Sequence, residues 1–95
     1  MKKSLLGIYA VKDMVSDRFG LPQFMDNEEV AKRTFQMMAE EKGTLIHYRP
    51  MDFDLYFMGS YDPIDGIIKA TKPVKIMTGL ECSAMVQGAP VLVNK

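Results

Sequence analysis

The sequence predicts an α+β domain: a single helix packed on a mainly antiparallel four- to five-stranded sheet, in the order β-β-α-β-β-β. Three observations predict it. Asp52 to Asp62 alternates, with Phe53, Leu55, Phe57 and Tyr61 on one side and Asp52, Asp54, Tyr56, Met58 and Ser60 on the other, which is the period of a half-buried strand. The turn Asp62-Pro63-Ile64-Asp65-Gly66 and the apolar run Ile67-Ile68-Lys69-Ala70 follow it, so the pair reads as a β-hairpin. A stretch near 27–42 carries helix start and stop signals around an amphipathic face. The 95 residues make one domain, 1–95, with a small core that dimerisation would help.

Leu5 to Val11 is nearly all apolar and is expected near the middle of the sheet. Phe19-Gly20-Leu21-Pro22 breaks regular structure, and Gln23-Phe24-Met25 is expected as a short edge strand. For the helix, Asp26 is the expected cap, with Glu29 completing a capping box and Met25 and Val30 a hydrophobic staple. Its inward face is Val30, Ala31, Thr34, Phe35 and Met38, and Gly43 ends it. Leu45 to Tyr48 is expected to be extended, and Arg49-Pro50 to be a boundary. Lys72-Pro73 is expected to end the second hairpin strand, and Val74 to Met77 to form another. Leu80 to Gln87 is either a short helix or irregular, and Val91-Leu92-Val93 needs covering, by the sheet or by a second copy.

Twelve basic residues balance twelve acidic ones, which argues against a strong sequence-independent hold on nucleic acid by charge alone. The lone cysteine, Cys82, cannot close an intrachain disulfide and suits a reducing compartment. The apolar run after Lys2-Lys3 is cut short by Lys12 and Asp13, so it reads neither as a secretory leader nor as a membrane span. The nine methionines suit an irregular core or an adaptable contact surface.

Enzymatic signals are weak. His47 is the only histidine, and a zinc site would need an unusual carboxylate-rich set. Cys82 with His47 lacks any signature of a nucleophile and its base, so Cys82 reads as a small buried hydrophobe. Asp52, Asp54, Asp62 and Asp65 read as strand and turn residues. No calcium loop, phosphate loop or nucleophile elbow is present in the sequence. The expectation is therefore a non-enzymatic protein with no catalytic residues, cofactor or metal. Tyr9, Phe24, Phe53, Tyr56, Phe57 and Tyr61 lie on expected strands, and strand aromatics beside Lys or Arg suit base stacking instead. The candidate contacts are Tyr9, Lys12, Arg49, Tyr56, Lys69 and Lys75, with Arg18 and Lys72 nearby, and Tyr56 stands out because alternation turns it away from Phe53 and Phe57.

Taken together, Ile8 to Asp13, Phe19-Gly20-x-Pro22-Gln23-Phe24, Glu29 to Phe35, and Pro50-x-Asp52-Phe53-Asp54-Leu55-Tyr56-Phe57-Met58-Gly59-x-Tyr61-Asp62 with the Gly66 turn resemble the small nonstructural protein of gokushoviruses, the microvirus branch of single-stranded DNA phages. The resemblance covers about residues 5–80. It implies an early protein in the cytoplasm of an infected bacterium, tied to single-stranded DNA replication or packaging. It supplies no catalytic residue. Two functions are expected to compete: binding single-stranded DNA or a DNA-bound complex, as a dimer, or binding a viral or host protein. No membrane partner is expected.

Overall fold

The computed structural model describes residues 4–86. The architecture is α+β, as the alternation predicts. It contains β1 (Leu6–Asp13), β2 (Arg18–Phe19), β3 (Gln23–Met25), α1 (Glu28–Glu40), α2 (Leu45–Tyr48), a 3-10 turn (Pro50–Asp52), β4 (Phe53–Asp62), β5 (Ile67–Thr78) and α3 (Gly79–Val86). The five strands form one antiparallel sheet. β1 lies inside it, paired on one side with β4 and on the other with β3 and then β2, and β5 is added outside β4.

β1 is central because it is apolar on both faces, and Gly7 to Ala10 are buried. One face of the sheet receives α1. Tyr9, Phe53, Leu55 and Met77 meet Ala31, Phe35 and Ala39 of the helix and Cys82 of α3. The helix residues recur every fourth position, so they form one stripe. Phe35 and Leu55 are the large fully buried side chains at its centre.

The helix cap differs from the expectation by one residue. Asn27 is the cap, and its Oδ1 accepts from the Val30 N–H at 2.9 Å. Asp26 therefore lies outside the helix, and the capping box and staple built on it do not form. Asp and Asn are equally good caps, so the sequence left the choice open to packing. The capping box is found instead at α3. Thr78 Oγ1 accepts from the Glu81 N–H at 3.1 Å, and the Glu81 carboxylate accepts from the Thr78 N–H at 2.8 Å. Those bonds hold the Glu81 carboxyl below its ordinary pKa.

Leu45 to Tyr48 is a single helical turn, not extended chain. Thr44 caps it by accepting from the His47 N–H, and the His47 Nδ1–H donates to the Ala39 carbonyl at 2.8 Å, tying the turn to the end of α1. β5 also runs through Pro73 as one strand. The pairing skips from Phe57↔Val74 to Gly59↔Ala70, so Thr71 to Pro73 bulge outward and Pro73 needs no partner for a missing N–H. Val91 to Val93 lie outside the described residues.

A second irregularity reorients β4. β1 pairs Ile8 with Gly59 but Tyr9 with Phe57, so Met58 is an extra residue. Gly59 has φ +147°, and a Cβ there would run into the Lys69 carbonyl. Beyond this bulge the alternation reverses. Tyr61 therefore leaves the side of Phe53, Leu55 and Phe57, contrary to the simple period, and points to the face without the helix.

Candidate nucleic-acid interface

The face of the sheet opposite α1 is floored by Leu6, Ile8, Ala10 and Lys12 of β1. Residues paired in register share a face, so their partners line it too. Phe19 pairs with Lys12, Phe24 with Ile8, Tyr56 with Ala10, and Tyr61 with Leu6. The four rings close into two edge-to-face pairs across β1. Phe19 and Tyr56 have centroids 5.2 Å apart at 79°, and Phe24 and Tyr61 have centroids 5.2 Å apart at 78°. None of the four belongs to the core cluster under the helix. Phe19 is 37% exposed and Phe24 48%.

Two cations flank the Phe19–Tyr56 pair. Lys12 Nζ lies 5.2 Å from the Phe19 centroid and 3.1 Å from the exposed Asp17 carboxylate. Lys75 is paired with Tyr56 across the β4–β5 ladder, and its Nζ lies 3.2 Å from Asp54 Oδ2. Asp54 is buried, and its other oxygen faces the Gly79 N–H at 3.4 Å. The hydrogen bond and charge of Asp54 raise the Lys75 pKa, so Lys75 is a cation at neutral pH.

The structure brings together three of the six candidates, Lys12, Tyr56 and Lys75, and separates the other three. Tyr9 is corrected outright. It is 4% exposed, faces the helix, and meets Phe57 edge-on at 5.6 Å. Burial, then the charge of Glu28, raises its phenol pKa. Lys69 pairs with Ser60 and shares a cleft with Leu5, Asp62, Asp65 and Ile67 on the opposite side of the sheet. Arg49 lies between α2 and the 3-10 turn, 3.2 Å from Asp52. Sequence reasoning missed Phe19, and it counted Phe24 and Tyr61 among the strand aromatics without choosing them as contacts. The signals were present: Phe19 faces a lysine across a tight turn, and Gly59 sits inside a strand, where glycine marks a bulge.

The other groups weighed in the sequence have local partners. Asp62 Oδ1 accepts from the Ile64 N–H at 2.9 Å and Asp65 Oδ1 from the Ile67 N–H at 3.0 Å, shaping the hairpin turn. Cys82 is fully buried, and burial, then Glu40, pushes its thiol up to about 11, so it is not a poised nucleophile. Among the described residues, no three His, Cys, Asp or Glu side chains cluster to hold a metal ion. No helix among them is long and apolar enough to cross a membrane. On the helix side, an apolar cleft of about 260 Å³ opens between α1 and the Gly20 to Met25 segment, lined among others by Leu21, Met25, Phe35 and Met38.

No curated protein and no solved structure matches the chain. A family model described as phage ORF5 protein matches residues 6–82, from the start of β1 to Cys82 in α3. That span takes in the whole sheet, α1 and every residue of the aromatic face, and the chain belongs to the phage ORF5 protein family.

Proposed function

We propose that this is a non-enzymatic phage protein, of gokushovirus type, that binds single-stranded DNA, alone or within a replication or packaging complex, in the cytoplasm of the infected bacterium. The observation that carries the reading is a sheet face, covered by no helix among the described residues, with two aromatic pairs and two lysines over β1. Bases stack on such rings whatever their sequence, each contributing about 1–3 kcal/mol. Phosphates would meet Lys12 and Lys75, each of which already has a carboxylate neighbour. Stacking therefore outweighs charge in this reading. With about two phosphates neutralised, a slope near −1.4 follows, or roughly a sevenfold loss of affinity from 50 to 200 mM salt. That is much shallower than for a basic groove.

The test is fluorescence anisotropy of a labelled oligonucleotide against the wild type and Tyr56→Ala, with the mass in solution recorded alongside. The expected result is binding that Tyr56→Ala weakens at least fivefold at either salt concentration. Affinity unchanged within twofold would overturn the assignment. A second reading, a protein-binding module, is favoured by the apolar cleft beside α1, where Leu21 is 87% exposed at the rim. A partner seated there would leave DNA titrations flat and would be lost on Leu21→Asp.

A further inference from the structure

The two aromatic pairs are not equivalent. The Phe19–Tyr56 pair straddles β1 between Ala10 and Lys12, and the Phe24–Tyr61 pair straddles it between Leu6 and Ile8. Their midpoints are therefore four residues apart on one strand, roughly 13 Å at the rise of a β-strand. Ile8 and Ala10 lie between them on β1, and both are buried. Both pairs lie along one line, and that line follows β1.

The chemistry differs along the line. Lys12 and Lys75 stand beside the first pair. At the second pair, among the described residues, the register places apolar neighbours: Leu6 and Ile8 beneath, and Ile68, 57% exposed, beside Tyr61. Lys69, next to Ile68 in sequence, belongs to the other face.

Resting on the DNA-binding reading above, we infer that the face holds two subsites for one strand: a charged one at Phe19–Tyr56 that takes a base and its phosphates, and an uncharged one at Phe24–Tyr61 that takes a second base by stacking alone. Stacked nucleotides advance about 3.4 Å each, so roughly 13 Å corresponds to about four steps. A strand of about five nucleotides reaches both subsites, and one of two reaches only one. Occupying the second subsite adds affinity without adding salt dependence, because no further counterion is released there.

The experiment is a length series of oligothymidylates, from two to ten nucleotides, titrated at about 50 and about 200 mM salt. The wild type is compared with Phe24→Leu and with Phe24→Ala/Tyr61→Ala, and far-UV circular dichroism checks that each is folded. Phe24→Leu keeps apolar bulk on a half-exposed site and removes the aromatic face, so it remains informative if the double variant unfolds. The expected result is a rise in wild-type affinity of at least about fivefold between two or three and five or six nucleotides. The rise is lost in the variants, while affinity for the shortest oligonucleotide and the salt slope stay as in the wild type. Wild-type binding with no step in length, or a step that survives both variants, would overturn the two-subsite inference and leave DNA binding standing. No wild-type binding at any length would overturn both.

Discussion

Gly79→Ala tests the packing of α3 most sharply. Gly79 is the first residue of α3 and is buried where the helix meets the 3-10 turn. A Cβ built there would come within 2.5 Å of the Phe53 carbonyl oxygen and closer still to that of Pro50. Both obstacles are backbone, so no side chain can swing aside. Overpacking of this kind costs about 1–3 kcal/mol, and two rigid neighbours put Gly79 at the upper end. Alanine recovers up to about 1 kcal/mol through its helix propensity. The clash wins, leaving a net loss of about 2 kcal/mol, or roughly 8–16 °C in Tm for a domain of this size. Thermal denaturation followed by circular dichroism reads it. A second readout is Cys82, three residues along α3 and fully buried, which should react faster with an aromatic disulfide once α3 lifts. Gly66→Ala is the control, since nothing lies within 4 Å of it and only its φ of +75° opposes the change, at about 1–2 kcal/mol. A Gly79→Ala protein with unchanged Tm and an unreactive thiol would refute this account of α3.

The cap assignment predicts that Asn27→Ala costs about 1 kcal/mol by chemical denaturation while Asp26→Ala stays within about 0.5 kcal/mol. The reverse ranking would restore Asp26 as the cap. Phe35→Ala, at the centre of the helix–sheet contact, should cost about 3–5 kcal/mol, measured by urea unfolding. Burial pushes the Cys82 thiol up to about 11 in the folded protein, from an ordinary 9.0, so the unfolded chain gives up its proton first. Its contribution to stability is intact below about pH 9 and is lost as pH rises to about 11, a loss that Cys82→Ala should remove from the pH profile. Glu81 runs the other way. Its lowered folded pKa contributes stability above the unfolded value of 4.5 that is lost as pH falls, and Glu81→Gln should flatten that acid limb.

Much of the fold was legible because the strongest signals are local. The hairpin, the amphipathic helix and the apolar first strand each announce themselves within a dozen residues. What escaped depends on contacts between distant segments. Whether Asp26 or Asn27 caps α1 is decided by how the chain leaves β3, not by their chemistry. Leu45 to Tyr48 curls because His47 finds the Ala39 carbonyl. The reversal of Tyr61 follows from one extra residue at Met58, and a period-2 pattern cannot register a bulge. The candidate site was half legible for the same reason. Tyr56 was placed by alternation that holds up to Phe57. Phe24 and Tyr61 could be paired only once β1 was known to lie between them. Tyr9 was misjudged because β1 is apolar on both faces, and no alternation shows which side the helix will cover.

The central place of β1 also sets an order in time. It leaves the ribosome before the other described strands, yet its longest ladder, with Phe53 to Tyr61 of β4, needs residues made about fifty positions later. Closing so long a loop is slow compared with forming a hairpin or a helix. α1 and the β4–β5 hairpin can assemble from neighbouring residues, whereas Leu6 to Val11 has only the short β2 and β3 nearby and must wait for β4 to pair its other edge. The aromatic row is completed only at that last step, because its rings are brought across β1 from both sides. A chain caught before β1 inserts would keep its helix and hairpin and would lack the aromatic row.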